Sequence, residues 1–221
     1  MFDDDVIWSI GIGVVQLGCT YLDPFVAQAQ AQNDGVTPHQ KIEDLNKIVQ
    51  GAQTGMLTTR ASDGHLHSRA MTPVPPSSKT QINLVFFANN SSPKFQEIQN
   101  DNHVNLSFFH TNSTHWASIS GIARVIEDRA VIKEYWSPGI GSYFGDLGDG
   151  THKGDENDPR VAIIEVVPDE VRYWLPTSCP GVQEGAPAVQ GKVTVSGELR
   201  TITKEEIQDS QLSQGQGVTS K

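Results

Sequence analysis

Cysteine is scarce: Cys19 and Cys179 are the only two in 221 residues. Neither stands in CxxC spacing, so no zinc site is indicated. Two unreactive thiols in a reducing cell are the expected state, with a disulfide between the chain ends as the alternative. Positive charge is short as well, with 16 basic residues against 26 acidic ones for a formal charge of −10. That balance argues against non-specific nucleic-acid binding and against an anionic membrane surface. It leaves room for a small anion in a locally basic pocket. Long apolar runs are also missing, with one exception at residues 6–22, VIWSIGIGVVQLGCTYL, which sits at the lower edge of spanning length. Asp3, Asp4 and Asp5 stand where a signal peptide carries positive charge. A plain N-terminal extension is therefore favoured over a targeting or membrane segment. No Ser-His-Asp order, HExxH, P-loop or properly flanked GxGxxG is visible. Asp146, Asp149, Asp155 and Asp158 do not keep calcium-loop spacing.

What is present reads as one domain with extensions, given 24.1 kDa and a mean hydropathy of −0.35. Thr37 can cap a helix over residues 38–50, with Pro38 in its first turn and Ile42, Leu45, Ile48 and Val49 at helical spacing. Gly51 is a plausible stop. Strands follow at 53–60 and 65–74, joined by the SDG turn at 62–64. Pro73, Pro75 and Pro76 cut the second strand short. A third strand runs over 81–88, and SSPKFQEIQ reads as a short helix capped by Ser91 or Ser92. Further strands fall at 104–109 and 116–125, with Gly121 easing a bend or bulge. A helix at 127–136 leads into the Gly- and Asp-rich stretch 137–159, which reads as a binding loop or a mobile one. A strand over 161–167 continues into or pairs with 170–175. After a linker-like stretch come a strand over 192–199 and a turn of helix led by Thr203. Residues 210–221 have the composition of a disordered tail. His65 and His67 share a strand face at i and i+2, but no third ligand joins them, so they read as core-edge or surface histidines.

Arg69, Ser92 and Lys94 lie near the ends of apolar runs, where a cluster of cation and hydroxyl can hold an anion beside a helix N-terminus. The segments GMLTTRASDGHLHSRAM, VFFANNSSPK, NDNHVNLSFF, WASISGIARVIEDR, EYWSPGIGSYFGDLGDG and DPRVAIIEVVPDEVRYW occur in this order. In that order and spacing, the chain resembles the flavin-binding split β-barrels of the pyridoxamine 5'-phosphate oxidase superfamily. Within it, the chain is most similar to the general stress protein 26 group, with the fungal blue-light-inducible proteins.

The resemblance implies a mostly β (α+β) fold, a split β-barrel of the FMN-binding type with flanking short helices over residues 38–176. Residues 1–37 would be an N-terminal extension. Residues 177–221 would be a linker, one further strand and a tail. It implies a homodimer with two interface sites and FMN as cofactor, with FAD or riboflavin as alternatives. Arg69 would hold the phosphate, and the backbone of Ala70 and Met71 would border the flavin ring. Phe87, Ala88 and Asn89 match the family's strand and turn, and Ser92 and Lys94 would be the next phosphate ligands. Trp116 would approach from the opposite subunit, and Trp136 and Phe144 would reach the ring or the substrate. Three departures thin the phosphate grip: Pro93 replaces an arginine, Ala88 a hydroxyl residue and Val74 a lysine. The basic C-terminal cluster that holds substrate phosphate in the oxidases is missing, since Arg172 and Arg200 stand apart. An efficient pyridoxamine phosphate oxidase is therefore not expected, and no catalytic residue is assigned. The readings left open are a stress-type FMN-dependent oxidoreductase, a flavin-storage or sensing protein, and a split-barrel dimer without ligand. The acidic charge, the few cysteines and the lack of a convincing targeting signal favour the cytoplasm, with neither nucleic acid nor membrane as a partner.

Overall fold

A computed structural model of the chain describes residues 35–176 and 197–215. Helix α1 (Pro38–Ala52) begins as its sequence dictates: the Thr37 side chain accepts from the backbone N–H of Gln40 at 3.2 Å. It buries Ile42, Leu45, Ile48 and Val49. Gly51 lies inside this helix, which ends instead at Gln53, held at a positive φ of 62°. Strands β1 (Gly55–Arg60) and β2 (Leu66–Met71) form the expected hairpin, with Leu57 opposite Arg69 and Thr59 opposite His67. Then come β3 (Leu84–Asn89), the short α2 (Pro93–Asn100), β4 (His103–Phe109) and β5 (Trp116–Ile126). Helices α3 (Arg129–Tyr135) and α4 (Pro138–Phe144) precede β6 (Val161–Pro176), in which 170–175 continues the strand begun at 161, one of the two arrangements the sequence left open. Strand β7 (Gly197–Ile202) and α5 (Lys204–Gly215) finish the described chain. Helix α5 covers part of the stretch expected to be a disordered tail. Cys19, Cys179 and the apolar run at 6–22 lie outside the described residues, and no described helix is long and apolar enough to cross a membrane.

All seven strands form one antiparallel sheet in the order β2-β1-β4-β5-β6-β3, with β7 also paired to β6. This corrects the expected split β-barrel: the fold is mixed α+β, and the sheet does not close. Strands β2 and β3 end the path without a ladder between them. The residues between them explain the gap. Pro73, Pro75 and Pro76 have no N–H to give to a neighbouring strand. What links the two edges there is the bond from Val74 N to Val85 O, at 2.7 Å.

The sheet curves at Gly121, where the β5–β6 register shifts between Ser120 and Gly121. A Cβ at Gly121 would run into the Val167 carbonyl, so the close approach of β6 requires glycine. The inner face joins α1, α2 and α5 in the main core around Leu57, Phe86, Leu106, Ile119, Ile164 and Tyr173. A second, smaller core of Val85, Ile132, Val161 and Ile163 seats α3 and α4, with Phe87, Trp136 and Phe144 packed against it.

Candidate functional site

The hairpin register places His67 and Arg69 on the inward face of β2, beside Leu57 and Thr59 of β1. Two such groups at the margin of an apolar core need a carboxylate, and α2 supplies Glu97. Arg69 Nη2 donates to Glu97 Oε2 at 2.8 Å, and Nη1 donates to the Thr59 hydroxyl. The Thr59 hydroxyl in turn donates to Glu97 Oε2, and His67 Nδ1 lies 2.6 Å from Glu97 Oε1. Glu97 is buried. Burial alone pushes its carboxyl up, but the bonds from Thr59, His67 and Arg69 outweigh it and hold the carboxyl down at about 2.

Lys94 stands one helical turn before Glu97 and donates to the Ser92 hydroxyl at 2.5 Å. Ser92 is the N-cap residue of α2, but its hydroxyl turns back to the Asn89 carbonyl at 2.8 Å rather than to the helix. Partial burial lowers the Lys94 ammonium from its ordinary value, the nearby Arg69 charge adds to this, and Glu97 opposes it. Arg69 and Lys94 are therefore close enough to repel each other. Together with Glu97 they leave one net positive charge beside the N-terminus of α2.

A cavity of about 830 Å³ begins where this cluster ends along the chain. Ala70 and Met71, which follow Arg69, line it. So do Phe87, Ala88 and Asn89, which precede Ser92. Phe144 closes the far wall with Tyr135, Ile140, Tyr143 and Arg160. Trp136 lies behind that wall: it meets Phe87 edge-on at 5.5 Å between ring centroids and Phe144 at 6.4 Å. Arg69, Ser92 and Lys94 flank the cavity without lining it.

Trp116 is elsewhere. It sits on the outer face of the sheet, paired with Phe109 of β4 and Trp174 of β6. Met56 and Phe109 on this face are 43% and 57% exposed, which leaves an apolar row open beside a hydroxyl and amide network. In that network Thr58 and Ser68 are 2.6 Å apart, and Asn105 donates to Ser118 at 2.9 Å.

Arg160 shapes the remaining wall. Its Nε and Nη2 bind the fully buried Asp158 at 3.0 and 2.6 Å. Other guanidinium N–H groups reach the Phe144 and Gly145 carbonyls at 3.2 and 2.8 Å. Asp158 also accepts from Gly154 N at 2.8 Å. The Arg160 bonds hold its carboxyl far below the usual range, against burial. One clasp thus ties the stretch 145–160 to the end of α4. At that junction a Cβ on Gly141 would strike the Gly154 carbonyl.

Sequence reasoning missed Thr59, His67, Glu97 and Arg160. The signal for the first three was the alternation in HLHSRAM, which places His67 and Arg69 on one face and calls for an acid nearby. For Arg160 the signal was the pairing of Asp158 and Arg160 across Pro159. Among the described residues there is no group of histidines, cysteines and carboxylates fit to hold a metal ion.

The arrangement sets a cationic strand end and a helix N-terminus beside a large cavity at the margin of an antiparallel sheet. The family model described as pyridoxamine 5'-phosphate oxidase like matches residues 40–196, and the chain belongs to that family. It is 35% identical over 193 residues to Protein bli-3 of Neurospora crassa, covering 84% of this chain and 90% of that protein. Its fold is similar to a Clostridium acetobutylicum protein related to general stress protein 26, of the pyridoxinephosphate oxidase family. That match has a TM-score of 0.55 at 16% identity, over 76% of this chain and 98% of the other. A general stress family protein of Xanthomonas campestris matches with a TM-score of 0.54 at 23% identity, over 71% of this chain and 99% of the other.

Proposed function

We propose that the protein binds FMN as a stress-type flavoprotein, in a homodimer, and serves as an FMN-dependent oxidoreductase on a small molecule. One observation carries this reading. Two short stretches of chain, Arg69 to Ala70 and the turn from Asn89 to Ser92, join the cationic cluster to a cavity large enough for a flat heterocycle. Family membership supports the same cofactor. The residues fit FMN in part. Arg69, Lys94 and the Ser92 hydroxyl would hold the phosphate, with help from the α2 N-terminus. Met71, Phe87 and Phe144 would wall the ring, and Asn89 offers an amide for its polar edge. Glu97 opposes part of the positive charge, so the grip on a dianion is weaker than two free cations would give.

When bound, FMN supplies the redox chemistry. The chain's own share is to neutralise the phosphate, orient the ring and keep water from the cavity. The row of Met56, Phe109, Trp116 and Trp174 supports a second copy packed on the outer sheet face. Phe109→Glu should then yield monomers in light scattering. The alternative is a non-catalytic flavin store or sensor. It is favoured by the cavity lining, which among the described residues has no histidine, carboxylate or cysteine to move a proton. Mass spectrometry of the small molecule released on denaturation tests the first point: FMN is expected, and release of no flavin from protein expressed with excess riboflavin overturns the reading. Bleaching of bound flavin by NADH or NADPH, followed by turnover with an added acceptor, separates oxidoreductase from store.

A further inference from the structure

The large cavity is not alone. A second chamber of about 500 Å³ opens beside it, between α1, the chain after β2 and the start of β3. The two share Thr72, Pro73, Val74, Pro75 and Tyr143 as a common wall. Tyr143 is 82% exposed, so both spaces open to solvent along this shared edge.

The second chamber differs in kind from the first. No charged side chain lines it. Its polar groups are amides and hydroxyls, among them Asn46, Gln50, Gln53, Thr54 and Thr72. An ion entering such a space finds no counter-charge to replace the water it loses against the buried Asn46 end. A neutral molecule meets no such barrier. The polar groups also lean toward acceptors. Asn46 is buried and gives both amide hydrogens to the carbonyls of Lys79 and Gln81, at 2.8 and 3.1 Å. Its Oδ1 is thereby held in place as an acceptor. Pro73, Pro75 and Pro76 bring no N–H to the wall.

The geometry points to the second chamber as a binding site for a neutral, hydrogen-bond-donating small molecule, such as a primary amide on a flat ring. This rests on the flavin reading of the larger cavity, which would make the chamber the substrate's seat beside the cofactor. It explains in one stroke why the chain lacks a basic cluster for a substrate phosphate: its substrate carries none.

Three probes of nearly equal shape test the charge rule: benzamide, benzoate and benzamidinium. Backbone amide shifts of the full chain, recorded with and without saturating FMN, report where each one binds. Benzamide is expected to shift Asn46, Gln53 and Thr72, and to bind at least about tenfold tighter than either ion. Gln53→Glu, on an exposed side chain at the end of α1, should reverse the order in favour of benzamidinium while leaving the rest of the spectrum intact. Equal binding of the three probes overturns the inference. So do shifts confined to other parts of the protein, and so does the absence of any shift at millimolar benzamide. An FMN titration of the same samples keeps the two ideas apart. Flavin binding without benzamide binding overturns the chamber alone. Selective benzamide binding without flavin binding overturns the flavin reading and supports the neutral chamber.

Discussion

Arg69 and Arg160 are both paired with a buried carboxylate, yet the two pairs do different work. Arg160 commits Nε, Nη1 and Nη2 to Asp158 and to the carbonyls of Phe144 and Gly145. Its charge is matched and four of its five N–H donors are engaged, so it serves as a clasp for the loop. Arg69 gives Nη2 to Glu97 and Nη1 to Thr59, with a longer 3.4 Å bond to the Leu57 carbonyl. Its Nε takes no part in these bonds, and Lys94 stands near enough to repel it. Two cations share the one Glu97 carboxylate, so spare donors and one net positive charge remain there for a further anion. The difference teaches that an arginine's role is read from its unspent hydrogen bonds, not from its having a salt bridge.

Three substitutions can break or sharpen this contrast. The largest effect is expected from Asp158→Asn, which removes the carboxylate from that clasp. The melting temperature should fall by roughly 5–10 °C, and proteolysis should open the chain between 145 and 160. A fall of less than a degree in calorimetry would show that Arg160 does not need its partner. Glu97→Gln should cost less, roughly 3–6 °C, because Thr59 and His67 remain as neighbours of the new amide. It should also tighten phosphate or FMN binding, by raising the local charge by one.

The same substitution has a pH signature. Glu97 is held at about 2 in the folded chain against an ordinary 4.5. Its contribution to stability is therefore present above about pH 4.5 and is lost as pH falls toward 2. Denaturant titrations should show a steeper acid loss in the wild type than in Glu97→Gln across that window. The smallest effect is expected from Thr203→Ala, far from both arginines. Thr203 Oγ1 accepts from Glu206 N at 3.4 Å and Glu206 Oε2 accepts from Thr203 N at 3.0 Å, a reciprocal cap of α5. Its loss should cost ~1 kcal/mol in denaturant unfolding, with loop cleavage and flavin affinity unchanged.

Much of the fold was legible because local rules governed it. Thr37 and Pro38 start α1 as their chemistry demands, and the Gly121 bulge was marked by a glycine in an apolar strand. The open sheet was legible in principle too. Pro73, Pro75 and Pro76 read as a strand end, but the family likeness suggested closure that those residues cannot support. Helix α4 was invisible because GIGSYF carries little helical preference and is held by packing on Trp136 and the 145–160 loop. The site divides in the same way. Arg69, Ser92 and Lys94 stood out as cation and hydroxyl at element ends. Glu97 did not, because a carboxylate on a short helix looks solvated until the fold turns it inward.

The most direct measurement is an FMN titration of the wild type and of Arg69→Ala/Lys94→Ala, with riboflavin as the phosphate-free control. The account predicts about a 100-fold loss of FMN affinity in the double variant, as expected for losing two charge-assisted contacts, with riboflavin affinity nearly unchanged. Equal FMN affinity in the two proteins would contradict it.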